Sequence, residues 1–345
     1  MKRALVISGG GSKGAFAVGV LKQMKETFPN LDFDIYVGTS AGSLVVTLAS
    51  LNRIDDLERI YTSISNATLF IEGNIVEKVN DTSLFDVTPI WKLIQDNYTD
   101  ANYDQLLASG KKVFITATCL QTEELNVFAS DASSIIPTGY NVVQAINANH
   151  YRRAVLASTC EPVFMPPIQI GRDVPGAANP NYQYVDGGVL KYIGVQMAID
   201  AGATEIFAII LSSENSVADE TTLKTLLDIL GRTVDILTTD VGNNDVAITD
   251  QYASALHYIA GVKSQMLADG IPQATIDRYF TLPDATIFQN KEPIKIFKIR
   301  PKEPLGGGPG GLIFDPTAMK IMLAKGEAAF SEFAASLPPG TITWA

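Results

Sequence analysis

The opening of the chain alternates short apolar runs with apolar residues at helical spacing. Residues 4–7 form a continuous apolar run, as a buried parallel strand does, and the glycines at 9–11 interrupt it before a helical pattern begins. A second apolar run at 33–37 leads through residues 38–42 into an apolar helical segment at 44–51. This pattern predicts a strand, helix, strand unit with a right-handed crossover, followed by a tight turn and a second helix.

The middle of the chain predicts further strands and helices. Residues 55–109 contain helical segments separated by polar turns, and we expect two strands, able to pair with each other, at 112–120 and 125–129. Residues 142–157 have helical spacing. The remaining expected elements are a strand at 182–185, a helix at 195–201, strands at 205–211 and 294–299, a flexible glycine-rich turn at 306–311 and a helix at 316–330.

The segment from 213 to 293 differs in character, because two amphipathic helical patterns dominate it. The second of them covers residues 246–268. We expect both helices to face the core, as parts of a cap or helical insertion, rather than to lie on a membrane. A helix on anionic lipid would carry lysines, whereas Asp228, Asp235 and Asp240 lie off the apolar face. The apolar face of the first helix consists of Leu223, Leu226, Leu227, Leu230, Val234, Leu237 and Val241.

Composition and charge narrow the classes of function. The 345 residues are 46% apolar and 18% charged, with a mean hydropathy of +0.15, which supplies enough apolar surface for a sizeable core. There are 26 basic and 37 acidic side chains, and the formal net charge of −11 disfavours a nucleic-acid partner and a strongly anionic membrane. No segment has the length of a membrane span or of a signal-peptide core, so we expect a cytoplasmic protein, with export by another route left open.

Cysteine and histidine content gives no indication of a metal site. The two cysteines, Cys119 and Cys160, are too few for a disulfide framework or a four-thiolate site, and their sequence contexts favour structural thiols. No histidine and carboxylate residues occur together at ligand spacing. We therefore expect neither a metal nor another cofactor.

A candidate nucleophile lies in the sequence GTSAG at 38–42. It fits the G-x-S-x-G elbow, in which a serine occupies a sharp turn between a strand and a helix, and the flanking apolar segments provide that context. Gly38 and Gly42 allow the tight bend, because larger residues would collide there. Ser40 is then the nucleophile of an acyl transfer, and the backbone amide of Ala41 is one donor to the oxyanion.

The glycine-rich loop after the first strand is the second candidate element. Gly9, Gly10 and Gly11 precede a helix, so their backbone amides are expected to face the same end of the sheet as Ser40 and to complete an oxyanion hole. The loop also satisfies G-x-G-x-x-G of dinucleotide sites. The acidic residues downstream, at 32 and 34, begin the second strand instead of ending it, which disfavours nucleotide binding.

The identity of the general base is less direct. The chain has two histidines, and a triad of Ser40, Asp186 and His257 is compatible with the order of such residues in α/β-hydrolases. That fold places several strands before its elbow, however, and His257 lies inside a helical pattern. We favour Asp186 acting directly on Ser40, although Asp186-Gly187 is also typical of an ordinary turn. Such a base needs a pKa raised by burial, or proton transfer coupled to the attack.

Three motifs in this order resemble the patatin-like phospholipases: SGGGSKG at 8–14, GTSAG at 38–42 and DGG at 186–188. The resemblance implies a three-layer α/β/α fold with a mostly parallel central sheet, and a serine–aspartate dyad without histidine. It makes Ser40 the nucleophile and Asp186 the base, and it places Gly10 and Gly11 in the oxyanion loop. The sequence departs from the family pattern at Ser8, at Lys13 and at the Leu190-Lys191-Tyr192 segment.

Together these observations predict one catalytic domain over residues 1–345, with a helical insertion or cap at 213–293. The expected activity is that of a lipid acyl hydrolase of the phospholipase A or lysophospholipase type. The alternatives are a soluble esterase or thioesterase with the same dyad, and a non-catalytic module that binds lipid or nucleotide. The expected partners are a lipid or acyl-ester substrate and, transiently, a membrane or micelle surface; nothing indicates an oligomeric state.

Overall fold

A mixed sheet of nine strands forms the centre of the protein in a computed structural model that describes residues 1–72, 81–133, 135–171, 181–215, 222–282, 286–289, 291–338 and 341. The described strands are β1 (Arg3–Ile7), β2 (Ile35–Gly38), β3 (Ile71–Glu72), β4 (Phe85–Asp86), β5 (Lys112–Cys119), β6 (Leu125–Ala129), β7 (Asn141–Gln144), β8 (Ile168–Gly171), β9 (Asn181–Asp186), β10 (Glu205–Ile209) and β11 (Lys295–Ile299). The described helices are α1 (Gly14–Thr27), α2 (Ala41–Ala49), α3 (Ile54–Tyr61), α4 (Asn66–Leu69), α5 (Thr88–Asn97), α6 (Asp100–Ser109), α7 (Ala148–Thr159), α8 (Val195–Asp200), α9 (Leu226–Ala268), α10 (Gln273–Phe280) and α11 (Pro316–Ser336).

The strand order of the main sheet is β11-β10-β1-β2-β5-β6-β7, and β9 joins it by pairing with β5 and β8. Five of the pairings are parallel and the other three, which involve β5 and β9, are antiparallel. Ile7 at the end of β1 lies beside Gly38 at the end of β2. The glycine loop after β1 and the elbow after β2 therefore leave the sheet at the same edge.

Helices cover both faces of the sheet, which confirms the predicted α/β/α class with a mostly parallel central sheet. Leu5 and Ile7 of β1 belong to one hydrophobic core, together with residues of α1, α2, α7 and α11. Ala4 and Val6, which point to the opposite face, belong to a second core with residues of α8 and α9. The two-sided burial explains why β1 is apolar throughout.

The chain around residue 145 differs from the prediction. Residues 142–144, expected to be helical, belong to β7, which pairs in parallel with β6. The helix α7 begins later, because the Asn147 side chain caps it by accepting the His150 amide at 2.9 Å. Valine favours a strand when a partner edge is available, and the spacing of apolar residues does not reveal that edge. The predicted pairing of β5 with β6 is confirmed and is antiparallel.

The two helices predicted between 213 and 293 form one continuous helix of 43 residues, α9, followed by α10. Residues 216–221, 283–285 and 290 of this segment lie outside the described part of the chain. The expected orientation of the first half is wrong, since Leu226 and Leu237 are 80% and 61% exposed. The side of α9 that packs against the rest of the protein carries glycine rather than leucine. At Gly242, for example, a Cβ atom would lie 2.8 Å from the Tyr192 ring.

Among the described helices, none is both long enough and apolar enough to cross a lipid bilayer.

Candidate active site

Ser40 occupies the sharp turn between β2 and α2. Its backbone has φ 56° and ψ −128°, a conformation that residues other than glycine rarely adopt. The Ser40 amide donates to Ser158 Oγ at 2.9 Å, and the Ser40 carbonyl accepts from Ser43 Oγ at 2.6 Å. The bonds to two other side chains hold the strained turn in place, so the direction of the Ser40 hydroxyl is set by the fold.

The glycines of the elbow are required by close packing. A Cβ atom at Gly38 would lie 2.6 Å from the Gly42 carbonyl oxygen. A Cβ atom at Gly42 would collide with the carbonyl oxygen of Ile7 at the end of β1. These two positions therefore keep β1, β2 and α2 close enough for the elbow to form.

Asp186 ends β9, and its carboxylate lies near the side chain of Ser40. The carboxylate accepts the Gly188 amide at 2.7 Å. Burial raises the pKa of Asp186 to about 7, although the Ser40 side chain and the Gly188 amide favour the charged carboxylate and oppose this increase. The antiparallel pairing of β9 with β5 brings the two residues together across 146 positions of sequence.

The glycine loop after β1 presents backbone amides beside this pair. Gly10 and Gly11 have φ values of 152° and 55°, which favour glycine. Within the described residues, the amides of Gly10, Gly11 and Ala41 have no hydrogen-bond acceptor. These three amides are therefore able to stabilise a negative charge that develops next to Ser40.

Gly9 has a different position from the one expected. Its amide donates to the Tyr192 carbonyl at 3.2 Å and so is not available to an oxyanion. The prediction that included Gly9 among the donors is therefore corrected. A Cβ atom at Gly9 would lie 3.2 Å from Cβ of Ser40, so the glycine instead provides space for the Ser40 side chain.

A second glycine-rich loop, residues 306–311, packs its backbone against the first. A Cβ atom on Gly11 would collide with the Gly311 carbonyl, and one on Gly311 would collide with the Gly10 carbonyl. The Gly310 amide donates to Asp235 of α9 at 2.6 Å. The sequence predicted only a flexible turn here, and its run of glycines was the signal that another backbone approaches closely.

Residues 191–193 connect the site to α9 through Asp245, which the sequence analysis did not single out. The buried Asp245 carboxylate accepts from Lys191 Nζ at 2.6 Å, from the Tyr192 amide at 2.9 Å and from the Ile193 amide at 3.1 Å. The Tyr192 side chain in turn lies near Ser8, which follows β1, and near Ser212 in the loop after β10. An isolated aspartate within a helix gives no sequence signal of such a role.

An apolar pocket lies next to Ser40. Ser40, Ala41 and Gly11 form part of its wall, and the remainder is largely aliphatic and aromatic. Glu161 is the acidic group in the wall, and burial raises its pKa to about 8, with smaller increases from Asp186 and Asp235. The main apolar residues of the wall are Leu44, Leu48, Ile60, Leu93, Ile94 and Phe314. Such a lining suits a hydrocarbon chain.

The histidine of the alternative triad points elsewhere. His257 lies in α9, and its Nε2 atom is 2.9 Å from the carbonyl oxygen of Ile294, which precedes β11. The acidic residues of the alternative nucleotide site are also engaged: Asp32 pairs with Lys111, and Asp34 accepts the Arg3 amide. These contacts lie at the start of β2, whereas the glycine loop follows the end of β1.

Comparisons with known proteins agree with the sequence motifs. The family model described as patatin-like phospholipase matches residues 5–199, a range that contains the glycine loop, Ser40 and Asp186 but not α9. Among solved structures, VipD from Legionella pneumophila is similar with a TM-score of 0.46 and 11% sequence identity, over 97% of this chain and 67% of that chain. No curated protein sequence matches the chain.

Proposed function

The chain belongs to the patatin-like phospholipase family, which implies lipid acyl hydrolase activity, and on that premise we propose the residues and the reaction that provide it. The protein cleaves carboxylic esters of phospholipids or lysophospholipids through an acyl-enzyme on Ser40, with Asp186 as the general base. The observation that carries the proposal is that the Ser40 side chain lies near a buried carboxylate whose pKa is about 7.

Acylation begins when Ser40 Oγ attacks the ester carbonyl and Asp186 takes its proton. The negative charge on the carbonyl oxygen is stabilised by the amides of Gly10, Gly11 and Ala41. The protonated Asp186 then donates its proton to the leaving alkoxide, so that the alcohol departs and the acyl group stays on Ser40. In the second half-reaction Asp186 removes a proton from water as the water attacks the acyl-enzyme. Asp186 then returns this proton to Ser40 Oγ as the bond to the acyl group breaks, which releases the fatty acid and restores the serine.

The surroundings of Asp186 support its role as a base. An exposed aspartate would be too weakly basic at neutral pH, because it holds a proton only in acid. With a pKa of about 7, Asp186 is partly deprotonated near neutrality, and its conjugate acid holds a proton long enough to deliver it. Burial next to the nucleophile thus replaces the histidine of a conventional triad.

The apolar pocket supports a lipid acyl group as the part of the substrate that is bound. A hydrocarbon chain buried there leaves water, which contributes about 0.8 kcal/mol per methylene group. Because Ser40 forms part of the pocket wall, a chain bound in it is attached to a carbonyl close to the hydroxyl. The pocket therefore favours long acyl esters over short soluble ones.

A fluorophosphonate probe tests the proposed dyad. We expect one adduct, mapped to Ser40, which is lost in Asp186→Asn and retained when both His150 and His257 are replaced by alanine. Loss of labelling in folded His257→Ala would instead indicate a triad. Absence of labelling, with a melting temperature that rises on addition of nucleotide, would identify a binding module. Turnover on micellar phospholipid compared with short-chain esters separates a lipid hydrolase from a soluble esterase.

A further inference from the structure

The helix α9 crosses the end of the molecule that holds the candidate active site. On its inward side, the Asp235 carboxylate accepts the Gly310 amide at 2.6 Å, and the Asp245 carboxylate accepts the Tyr192 amide at 2.9 Å. Ten residues of helix separate the two contacts, which is about 15 Å. The opposite side of this stretch therefore faces outward, directly above the loops that surround Ser40.

That outward side is apolar. At about 100° per residue, Asp235 and Asp245 lie about 80° apart around the helix, and the side chains at 226, 229, 236 and 237 lie about 120–160° from the direction midway between them. The exposed fractions are 80% for Leu226, 51% for Ile229, 56% for Ile236 and 61% for Leu237. We call these four residues the outer patch. Four large aliphatic side chains exposed on one helix face indicate contact with another apolar phase or surface.

Exposed apolar residues also occur next to the residues of the candidate site. Leu190, 40% exposed, follows the turn of residues 187–189 that begins after Asp186. Ile313, 55% exposed, lies between two residues of the pocket wall, Leu312 and Phe314. Exposed apolar side chains thus occur beside the candidate base and within the segment of the pocket wall, as well as on α9.

The charges around the outer patch favour a lipid surface without net charge. The exposed basic side chains of this stretch, Lys224 and Arg232, are balanced by the exposed acidic side chains of Asp228 and Asp240. The protein as a whole has a formal charge of −11 and is repelled by anionic lipid. Phosphatidylcholine has no net charge, so it neither repels the protein nor requires basic residues on it. Apolar contact alone suffices to bind such a surface.

We propose that the outer patch, together with Leu190 and Ile313, seats the protein on a zwitterionic phospholipid surface from which an acyl chain enters the pocket. The inference rests on the proposed function, since it concerns the phase from which that site takes its substrate. It also gives the exposed half of α9 a role that the expected packing against the core does not.

Sedimentation with vesicles tests this docking. Wild-type protein and Leu237→Ser are mixed with vesicles of phosphatidylcholine alone or phosphatidylglycerol alone, and bound protein is measured. Leu107→Ser is the matched control, because Leu107 is 47% exposed on α6 and lies just before the start of β5, at the other end of the sheet. Turnover is measured on phosphatidylcholine micelles and on a soluble short-chain ester.

We expect wild-type protein to bind phosphatidylcholine vesicles better than phosphatidylglycerol vesicles. Leu237→Ser should weaken binding and micellar turnover roughly tenfold while hydrolysis of the soluble ester is unchanged, and Leu107→Ser should leave all three unchanged. Absence of binding to phosphatidylcholine, a preference for phosphatidylglycerol, or equal binding by Leu237→Ser would overturn the docking proposal. So would a wild-type dimer that Leu237→Ser dissociates, since the patch would then join two copies. If wild-type protein does not hydrolyse the soluble ester, that result would count against the proposed function instead of the docking proposal.

Discussion

The Asp245 carboxylate accepts the Tyr192 amide at 2.9 Å and thereby joins the middle of α9 to the loop behind the candidate oxyanion hole. Tyr192 continues the connection, because its carbonyl accepts the Gly9 amide at 3.2 Å. Gly9 is followed directly by Gly10 and Gly11, whose amides are free for an oxyanion among the described residues. A residue outside the range of the family match is therefore connected by hydrogen bonds to the loop that carries the candidate donors inside that range.

Asp245→Ala should reduce turnover through this connection. The substitution leaves the Tyr192 and Ile193 amides without their acceptor, at a cost of about 1–3 kcal/mol for each buried group. We expect kcat to fall about tenfold or more with little change in KM, because the oxyanion donors act mainly in the transition state. Steady-state kinetics and the rate of fluorophosphonate labelling measure the effect.

Asp245→Asn is the conservative counterpart, since its amide oxygen still accepts both backbone amides. We expect it to recover most of the kcat that Asp245→Ala loses. Asp240→Ala, an exposed carboxylate on the same helix, is the control for loss of charge alone. If Asp245→Ala keeps wild-type kcat, the loop at 191–193 does not position the oxyanion donors.

Gly11→Ala tests the packing of the two glycine loops. The added methyl group would collide with the Gly311 carbonyl at a position with φ 55°, so the loop must move and carry its amide with it. Loss of one oxyanion donor lowers kcat by about 10²-fold or more. We expect a decrease of that size, measured on a soluble ester so that binding to lipid does not contribute.

Gly110→Ala separates displacement of the loop from backbone strain. Gly110 also has a positive φ, 71°, but nothing lies within 4 Å of the added Cβ atom. We therefore expect Gly110→Ala to lower the free energy of unfolding by about 1 kcal/mol and to leave kcat unchanged. Equal losses of kcat in the two variants would show that general destabilisation, and not the oxyanion loop, causes the effect.

The parts of the site that the sequence predicted are those that short motifs specify. The elbow around Ser40 needs only the strand before it, the helix after it and glycines between them, all within one segment. Asp186 was proposed because it begins an Asp-Gly turn after an extended segment and because that turn belongs to a family motif. The use of the Gly9 amide was not predictable in this way, because its acceptor is the carbonyl of Tyr192, and no local pattern indicates that contact.

The orientation of α9 shows why periodicity alone failed. Apolar spacing places Leu226 and Leu237 on one face, and the usual assumption is that such a face is buried. The helix instead packs through Gly231 and Gly242, which allow close approach, and through the buried hydrogen bonds of Asp245. Aspartate on an inward face is recognised only when its backbone donors are known, and those donors belong to distant loops.

The pH dependence of catalysis should follow the ionisation of Asp186. The deprotonated form is the proposed base, and its pKa is about 7, so kcat/KM should rise with pH, reaching half its plateau at about pH 7. Rates on a soluble ester across the pH range measure this. His257→Ala should retain the same midpoint, because His257 contacts Ile294 and not the dyad. A midpoint that disappears in His257→Ala would assign the ionisation to the imidazole.

The same pKa makes a prediction about stability. The pKa of Asp186 rises from 3.8 to about 7 on folding, so folding favours the protonated acid. The stability that this group contributes is present in acid and is lost as the pH rises to about 7 and above. At about 1.4 kcal/mol per pKa unit, the folded protein loses a few kcal/mol by holding a buried carboxylate.

Asp186→Asn removes that loss, because asparagine stays neutral and its amide oxygen still accepts the Gly188 amide. We expect the variant to be inactive but to melt at a higher temperature than wild type at about pH 8, with the difference vanishing towards pH 4. Thermal denaturation at the two pH values measures it, and Asp240→Asn, an exposed carboxylate, should shift neither melting temperature. Equal melting temperatures of wild type and Asp186→Asn at about pH 8 would mean that the Asp186 pKa is not raised, and Asp186 would then lack the basicity that direct activation of Ser40 requires.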